Sequence, residues 1–129
     1  MDNNALLLRT FEVTFLPLFT QVRHMRTITA AYLGLWDLSA LKDEVLLVVS
    51  ELVTNAVRHG KGLPATLHVQ CSHGELRIDV TDENPAPARR RIASDADENG
   101  RGLELVGALA KEWGVSADGR TTWCSLPLS

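Results

Sequence analysis

The chain has 129 residues, of which 45% are apolar, and a formal net charge of −3 at pH 7. This length and composition predict one globular domain, residues 1–129, with a core of its own. The acidic balance argues against direct binding of nucleic acid, and no apolar run approaches the ~18 residues that cross a membrane. The first residues carry neither a basic region nor a long apolar stretch, so we expect a cytoplasmic protein without a secretory signal.

The first half of the chain predicts an edge strand followed by two helices. Loose alternation of apolar and polar side chains over residues 7–16 predicts the strand. Pro17 suits the first turn of a helix, and the apolar residues after it keep helical spacing as far as Gly34. The second helix is expected to begin after Ser39 and Ala40 and to end at Gly60, where a glycine cap is expected.

The second half predicts strands, a long loop and a third helix. The strands are expected at about residues 64–71, 75–82, 113–117 and 121–127. Apolar residues at helical spacing from Leu103 to Trp113 indicate the third helix. Early helices and late hairpin-like strands predict an α+β fold. It is a two-layer α/β sandwich in which about three helices cover one face of a mostly antiparallel mixed sheet.

Glu51, Asn55 and His59 recur every four residues in the second helix. On an α-helix they form one stripe, roughly 40° apart from one to the next. A second stripe on the same helix is apolar and predicts its core side: Val45, Val49, Leu52 and Ala56. A carboxylate can accept a proton or orient water, and an amide oxygen is a suitable ligand for Mg²⁺. The alternative is a solvated helix face without a function.

The string from Glu51 to Gly60, Glu-Leu-Val-Thr-Asn-Ala-Val-Arg-His-Gly, closely resembles the N-box of a superfamily of ATPases. That superfamily, GHKL, includes gyrase, MutL and the sensor histidine kinases. Within it the chain looks most like the small bacterial anti-sigma-factor serine/threonine kinases and their stand-alone ATP-binding relatives. The resemblance implies a Bergerat-type fold, with Glu51 as the catalytic base or water-orienting residue. It also implies that Asn55 binds the Mg²⁺ between the ATP phosphates.

Asp82 ends a predicted strand, where an Asp on local grounds simply starts a turn. In the family that the chain resembles, an Asp at this place accepts a hydrogen bond from the adenine amino group, and a Gly-x-Gly follows. Here Asn84 and Ala86 occupy the two glycine places. Because Asn tolerates left-handed dihedrals better than most residues, Asn84 is expected to keep its turn in the nucleotide site. The shape of the loop beyond it stays open.

A Gly-x-Gly directly precedes the third predicted helix. Backbone amides at a helix N-terminus, with glycines that let an anion approach, make a phosphate site. The second glycine box of the family has the form Gly-x-Gly-Leu. The resemblance therefore assigns nucleotide contacts to Gly100, Arg101, Gly102 and Leu103. It also matches Thr121, at the start of the last strand, with a Thr that lies close to the adenine.

Residues 86–99 contain few apolar side chains and three consecutive arginines, Arg89 to Arg91. Loops of this length are uncommon unless they act as lids or binding loops. In the family this segment is the ATP lid, and we expect it to become ordered when nucleotide binds. The arginines suit either phosphate or an acidic partner, and the sequence does not choose between them.

These resemblances imply an ATP-binding regulatory protein whose cofactors are ATP and Mg²⁺. The expected activity is transfer of the γ-phosphate to a serine or threonine of a protein partner, as in the anti-sigma-factor kinases. The alternative is a nucleotide-dependent module that sequesters a sigma factor or similar regulator with little turnover. The expected partner is an anti-anti-sigma-factor-like protein, a sigma factor or both, and a homodimer stays open.

Overall fold

The computed structural model describes residues 9–60, 62–83 and 112–128. The elements in chain order are strand β1 (Thr10–Phe15), helix α1 (Thr20–Leu35), a 3₁₀ turn (Ser39–Leu41), helix α2 (Lys42–His59) and strands β2 (Ala65–Ser72), β3 (Glu75–Asp82), β4 (Glu112–Val115) and β5 (Thr121–Pro127).

The strands form one sheet in the order β1-β2-β3-β5-β4, and each described pair is antiparallel. The hairpin of β4 and β5 therefore adds to the free edge of β3. Alternation along each strand gives the sheet an apolar side and a polar side. One row of cross-strand partners on the apolar side is fully buried: Val69, Ile78 and Cys124. The adjacent row lies on the polar side: His68, Asp79 and Trp123.

Helix α2 packs against β3 and β5 with its apolar stripe. Val45, Val49 and Leu52 have no exposed surface, and Ala56 is 2% exposed. Each fully buried aliphatic side chain of this size contributes about 1.5–3 kcal/mol to folding. The apolar period of the sequence thus fixes which side of α2 faces the sheet, and it leaves the opposite side for polar residues.

Helix α1 packs against α2 and closes the β1 end of the core. Its Tyr32 ring stacks on Phe11 of β1, with ring centroids 4.4 Å apart. Thr29 is fully buried on the same helix, and its hydroxyl donates to the Met25 carbonyl at 2.7 Å. The bond satisfies a polar group that would otherwise destabilise the core.

The fold class predicted from the sequence is confirmed: α2 and α1 pack with a five-stranded sheet as two layers. Two α-helices belong to the described part of the chain, and the predicted third helix, from Leu103, lies outside it. Gly60 ends α2 as predicted, and its N–H donates to the Ala56 carbonyl at 2.7 Å. Its φ of −69° is not left-handed, however, so the glycine is needed there for another reason. Neither described α-helix is long and apolar enough to cross a membrane.

Candidate functional site

Glu51, Asn55 and His59 share one side of α2, as their spacing predicts. All three side chains are partly exposed, whereas the apolar stripe of the helix is buried. The packing of α2 on β3 and β5 therefore leaves the polar stripe at the margin of the core. This arrangement presents a carboxylate and an amide, one turn apart, to the same region.

The Oδ1 atom of Asn55 is buried and accepts no hydrogen bond from the described residues. An unsatisfied buried acceptor costs about 1–3 kcal/mol. Asn is also a poor residue for a helix interior, by up to about 0.7 kcal/mol relative to Ala. Asn55 thus carries two costs to stability without a compensating contact in the described structure. An amide oxygen that lacks a donor is a suitable ligand for a hard cation, so the residue fits Mg²⁺.

Asp82 lies on the helix-facing side of β3, at the end of an otherwise apolar row that contains Leu76, Ile78 and Val80. The residue is 4% exposed, and its backbone N–H donates to the Arg120 carbonyl at 2.8 Å. A carboxylate at a buried position is costly unless it is paired or hydrogen-bonded. The side chain of Asp82 therefore lies on the α2 side of the sheet, at the end of the apolar row.

Thr121 does not share a face with Asp82. It pairs across the strands with Thr81 on the polar side of the sheet, and the two hydroxyl oxygens lie 2.7 Å apart. Thr122 instead lies on the helix side, in a row with Cys124 and Leu126, and is 5% exposed. The motif match assigned Thr121, whereas alternation back from Leu126 and Cys124 places Thr122 on the helix side.

The turn before β5 fixes the position of the two threonines. The Asp118 carboxylate accepts hydrogen bonds from the Ser116 hydroxyl at 2.6 Å and from the Arg120 N–H at 3.0 Å. These two bonds, that of Ser116 foremost, hold the pKa of Asp118 below its usual value. The Ser116 N–H donates to the Thr121 carbonyl at 2.8 Å. The turn therefore sets where β5 begins and, through alternation, which threonine faces the helices.

The two cysteines belong to the core and not to the site. Burial raises the pKa of the Cys124 thiol to about 12. Burial also raises the pKa of the Cys71 thiol, and the nearby Arg9 lowers it by a smaller amount. Both are free cysteines, and thiols of this kind are unreactive.

The remaining predicted site residues lie outside the described residues, and their positions stay predictions: Asn84, Gly100, Arg101, Gly102 and Leu103. Ala86 and the three arginines Arg89, Arg90 and Arg91, whose roles the sequence left open, also lie outside them. The described residues contain no group of three or more His, Cys, Asp or Glu that could hold a metal ion. A divalent ion at Asn55 would therefore need nucleotide phosphates and water for most of its ligands, as Mg²⁺ in ATP sites commonly has.

The two-layer sandwich is the architecture that the N-box resemblance predicted, and the polar stripe of α2 lies at the margin of its core. The sequence model of the histidine kinase-like ATPase domain matches residues 15–126. The chain belongs to this family of ATP-binding domains. It is also similar to an uncharacterized protein of Streptomyces coelicolor, with 39% identity over 75 residues, which make up 55% of this chain and 71% of that protein.

Proposed function

We propose that the protein is an ATP-dependent serine/threonine kinase that regulates a protein partner, in the manner of an anti-sigma factor. The observation that supports it best is the placement of Glu51 one turn from the orphaned Asn55 Oδ1 on the polar side of α2. Asn55 supports an Mg²⁺–nucleotide site, and Glu51 beside it supports phosphoryl transfer. A binding surface for proteins has no need of a destabilising buried amide, whereas an Mg²⁺–nucleotide site does. ATP binding itself follows from membership of the family.

Each residue then has a distinct role. Asp82 would accept a hydrogen bond from the adenine amino group, and Thr122, on the same side of the sheet, would line this end of the site. Asn55 would hold Mg²⁺, which when bound offsets the charge of the phosphates. Gly100 and Gly102 would offer backbone amides to the phosphates.

The phosphoryl transfer would use Glu51. The hydroxyl oxygen of a partner serine or threonine forms a bond to the γ-phosphorus, and the bond from that phosphorus to the bridging oxygen of ADP breaks. The hydroxyl proton passes to the Glu51 carboxylate, or Glu51 orients the hydroxyl for attack. The proposed partner is an anti-anti-sigma-factor-like protein.

The second candidate is a nucleotide-dependent binding module that sequesters a sigma factor or similar regulator and turns over little ATP. The replacement of two glycines by Asn84 and Ala86 favours it, because it removes conformational freedom next to the adenine site. The presence of Glu51 favours the kinase, because binding alone needs no base.

Glu51→Gln separates the two candidates. The full chain is incubated with Mg²⁺, γ-labelled ATP and each anti-anti-sigma-factor-like protein encoded in the same genome. The wild type should label its partner on serine or threonine, and Glu51→Gln should do so about 10²–10⁴-fold more slowly. Calorimetry should show that the variant still binds ATP. Partner binding without label in the wild type would favour the sequestering module.

A further inference from the structure

A groove lies on the surface where α1 meets α2, at a distance from the polar side of the sheet. Its walls are formed by Phe19, Thr20, Val22, Arg23 and Arg26 of the α1 segment and by Ser50 of α2. We call it the α1–α2 groove. Positions 19, 22, 23 and 26 have the spacing of a single helical stripe, so the groove runs along α1 for about two turns.

The N-terminal end of the groove is unusually apolar for a surface. Phe19 is 63% exposed, and two leucines just before it, Leu16 and Leu18, are 55% and 52% exposed. Phe19 lines the groove, and the two leucines precede it in the chain. Single exposed apolar residues are ordinary, whereas contiguous exposed apolar surface is typical of interaction sites. A partner that covers these side chains removes apolar surface from water, which would be the main hydrophobic contribution to its binding free energy here.

The rest of the groove is basic. Helix α1 carries Arg23, His24 and Arg26 and no acidic residue, in a chain whose net charge is −3. The Arg26 guanidinium donates to the Leu46 carbonyl at 3.4 Å and to the Ser50 hydroxyl, which holds it against the groove wall. Arg23 is exposed and makes no hydrogen bond or ion pair with the described residues. One arginine is thus positioned in advance, and the other is available for a carboxylate.

The groove and the candidate site share helix α2 but lie on different sides of it. Ser50 directly precedes Glu51, so their side chains point about 100° apart around the helix axis.

We propose that the α1–α2 groove docks an acidic, amphipathic helical segment of a partner protein. Its apolar side chains would cover Phe19 and Val22, and its carboxylates would pair with Arg23 and Arg26. Charge complementarity selects this occupant: the groove combines exposed apolar surface with arginines and no acid. An anionic membrane suits the same residues less well, because the chain as a whole is acidic and a groove fits a rod rather than a plane. The proposal rests on the proposed function only in that both require a protein partner.

The test uses the ¹⁵N-labelled full chain without nucleotide. The probe is a designed helical peptide of about 18 residues, five turns long, with Leu at every third or fourth position and Glu beside them. Titration should shift the amide signals of Phe19, Val22, Arg23 and Ser50. A peptide of the same pattern with Lys in place of Glu should leave these signals unchanged.

Two matched variants locate the effect. Arg23→Gln should weaken binding of the acidic peptide by about fivefold or more, since it removes a charge-assisted contact. Arg77→Gln makes the same change on the polar side of the sheet and should leave peptide binding unchanged. Arg23→Gln should also keep its affinity for ATP in calorimetry, so that failure of docking is distinguished from failure of the nucleotide site.

Three results would overturn the proposal. The first is an acidic peptide that shifts no groove signal, or shifts them equally in Arg23→Gln. The second is co-sedimentation with phosphatidylglycerol vesicles that Arg23→Gln abolishes, without a response to the peptide, which would assign the groove to a membrane surface. The third is a concentration-dependent dimer that Phe19→Ser dissociates, which would assign it to a second copy of the chain.

Discussion

Gly60 lies so close to Pro17 that a Cβ atom on Gly60 would come within 2.8 Å of the Pro17 Cβ and 2.9 Å of the Ala56 carbonyl oxygen. The φ of Gly60, −69°, is open to any residue, so space rather than backbone conformation requires the glycine. The contact joins the end of α2 to the segment between β1 and α1. It thereby fixes the C-terminal turn of the helix that carries the site.

Gly60→Ala should therefore lower the free energy of unfolding by about 1–3 kcal/mol, because the added methyl group has to displace Pro17 or the end of α2. Gly34→Ala is the matched control: a Cβ there meets nothing within 4 Å, and the residue lies in α1. This control should be neutral or more stable than the wild type by up to about 1 kcal/mol. Urea denaturation of both variants measures the difference. Equal stability of the two variants would show that Pro17 moves aside without lowering the free energy of unfolding.

The sequence predicts helix α2 more closely than it predicts the ends of the strands. Helix α2 was predicted well because its apolar period and its packing depend on neighbouring residues of one segment. Strand β4 ends at Val115, two residues before the predicted end, because the hydrogen bonds of Asp118 turn the chain from Ser116 onward. A turn that depends on the hydrogen bonds of one side chain leaves no periodic pattern in the sequence.

The side of the sheet on which a threonine lies is also decided by the register of β5 against β3, which pairs Thr81 with Thr121. A motif match alone does not contain that register. The motif match selected Thr121, whereas the threonine of β5 that lies on the same side of the sheet as Asp82 is Thr122. The orphaned state of Asn55 Oδ1 likewise depends on tertiary packing, although its place on the polar stripe was predicted from spacing.

Asp82→Asn should weaken ATP binding by about tenfold to 100-fold, because the adenine amino group would lose a charged acceptor worth about 1.5–3 kcal/mol. Asp79→Asn is the matched control, since Asp79 lies three residues earlier on the polar side of the sheet and pairs with Arg77 and His68. Calorimetry with ATP and with GTP would show the loss and its dependence on the base. The adenine assignment fails if both variants bind ATP as the wild type does.

Thr122→Val and Thr121→Val should have opposite effects. Loss of the Thr122 hydroxyl should reduce ATP affinity by roughly three- to tenfold with little effect on stability, because the residue lies on the helix side of the sheet, where we propose the adenine site. Loss of the Thr121 hydroxyl should remove the 2.7 Å hydrogen bond with Thr81. It should lower the free energy of unfolding by about 0.5–1.5 kcal/mol and leave ATP affinity unchanged. Paired calorimetry and denaturation of both variants check this. The reverse pattern would return the adenine contact to Thr121.

Asn55→Ala should stabilise the protein without nucleotide and weaken its binding of Mg²⁺–ATP. The substitution removes a buried acceptor that has no donor among the described residues and adds helix propensity, which together favour folding by about 1 kcal/mol or more. Thermal unfolding in EDTA measures this gain. Thr54→Ala, at the preceding position of α2, is the control for helix propensity alone.

ATP affinity of the wild type and of Thr54→Ala should fall when Mg²⁺ is replaced by EDTA, whereas that of Asn55→Ala should be equally low in both. If the ATP affinity of Asn55→Ala still depends on Mg²⁺ as much as that of the wild type, Asn55 is not the Mg²⁺ ligand. If Asn55→Ala is less stable than the wild type, the Asn55 amide has a structural partner.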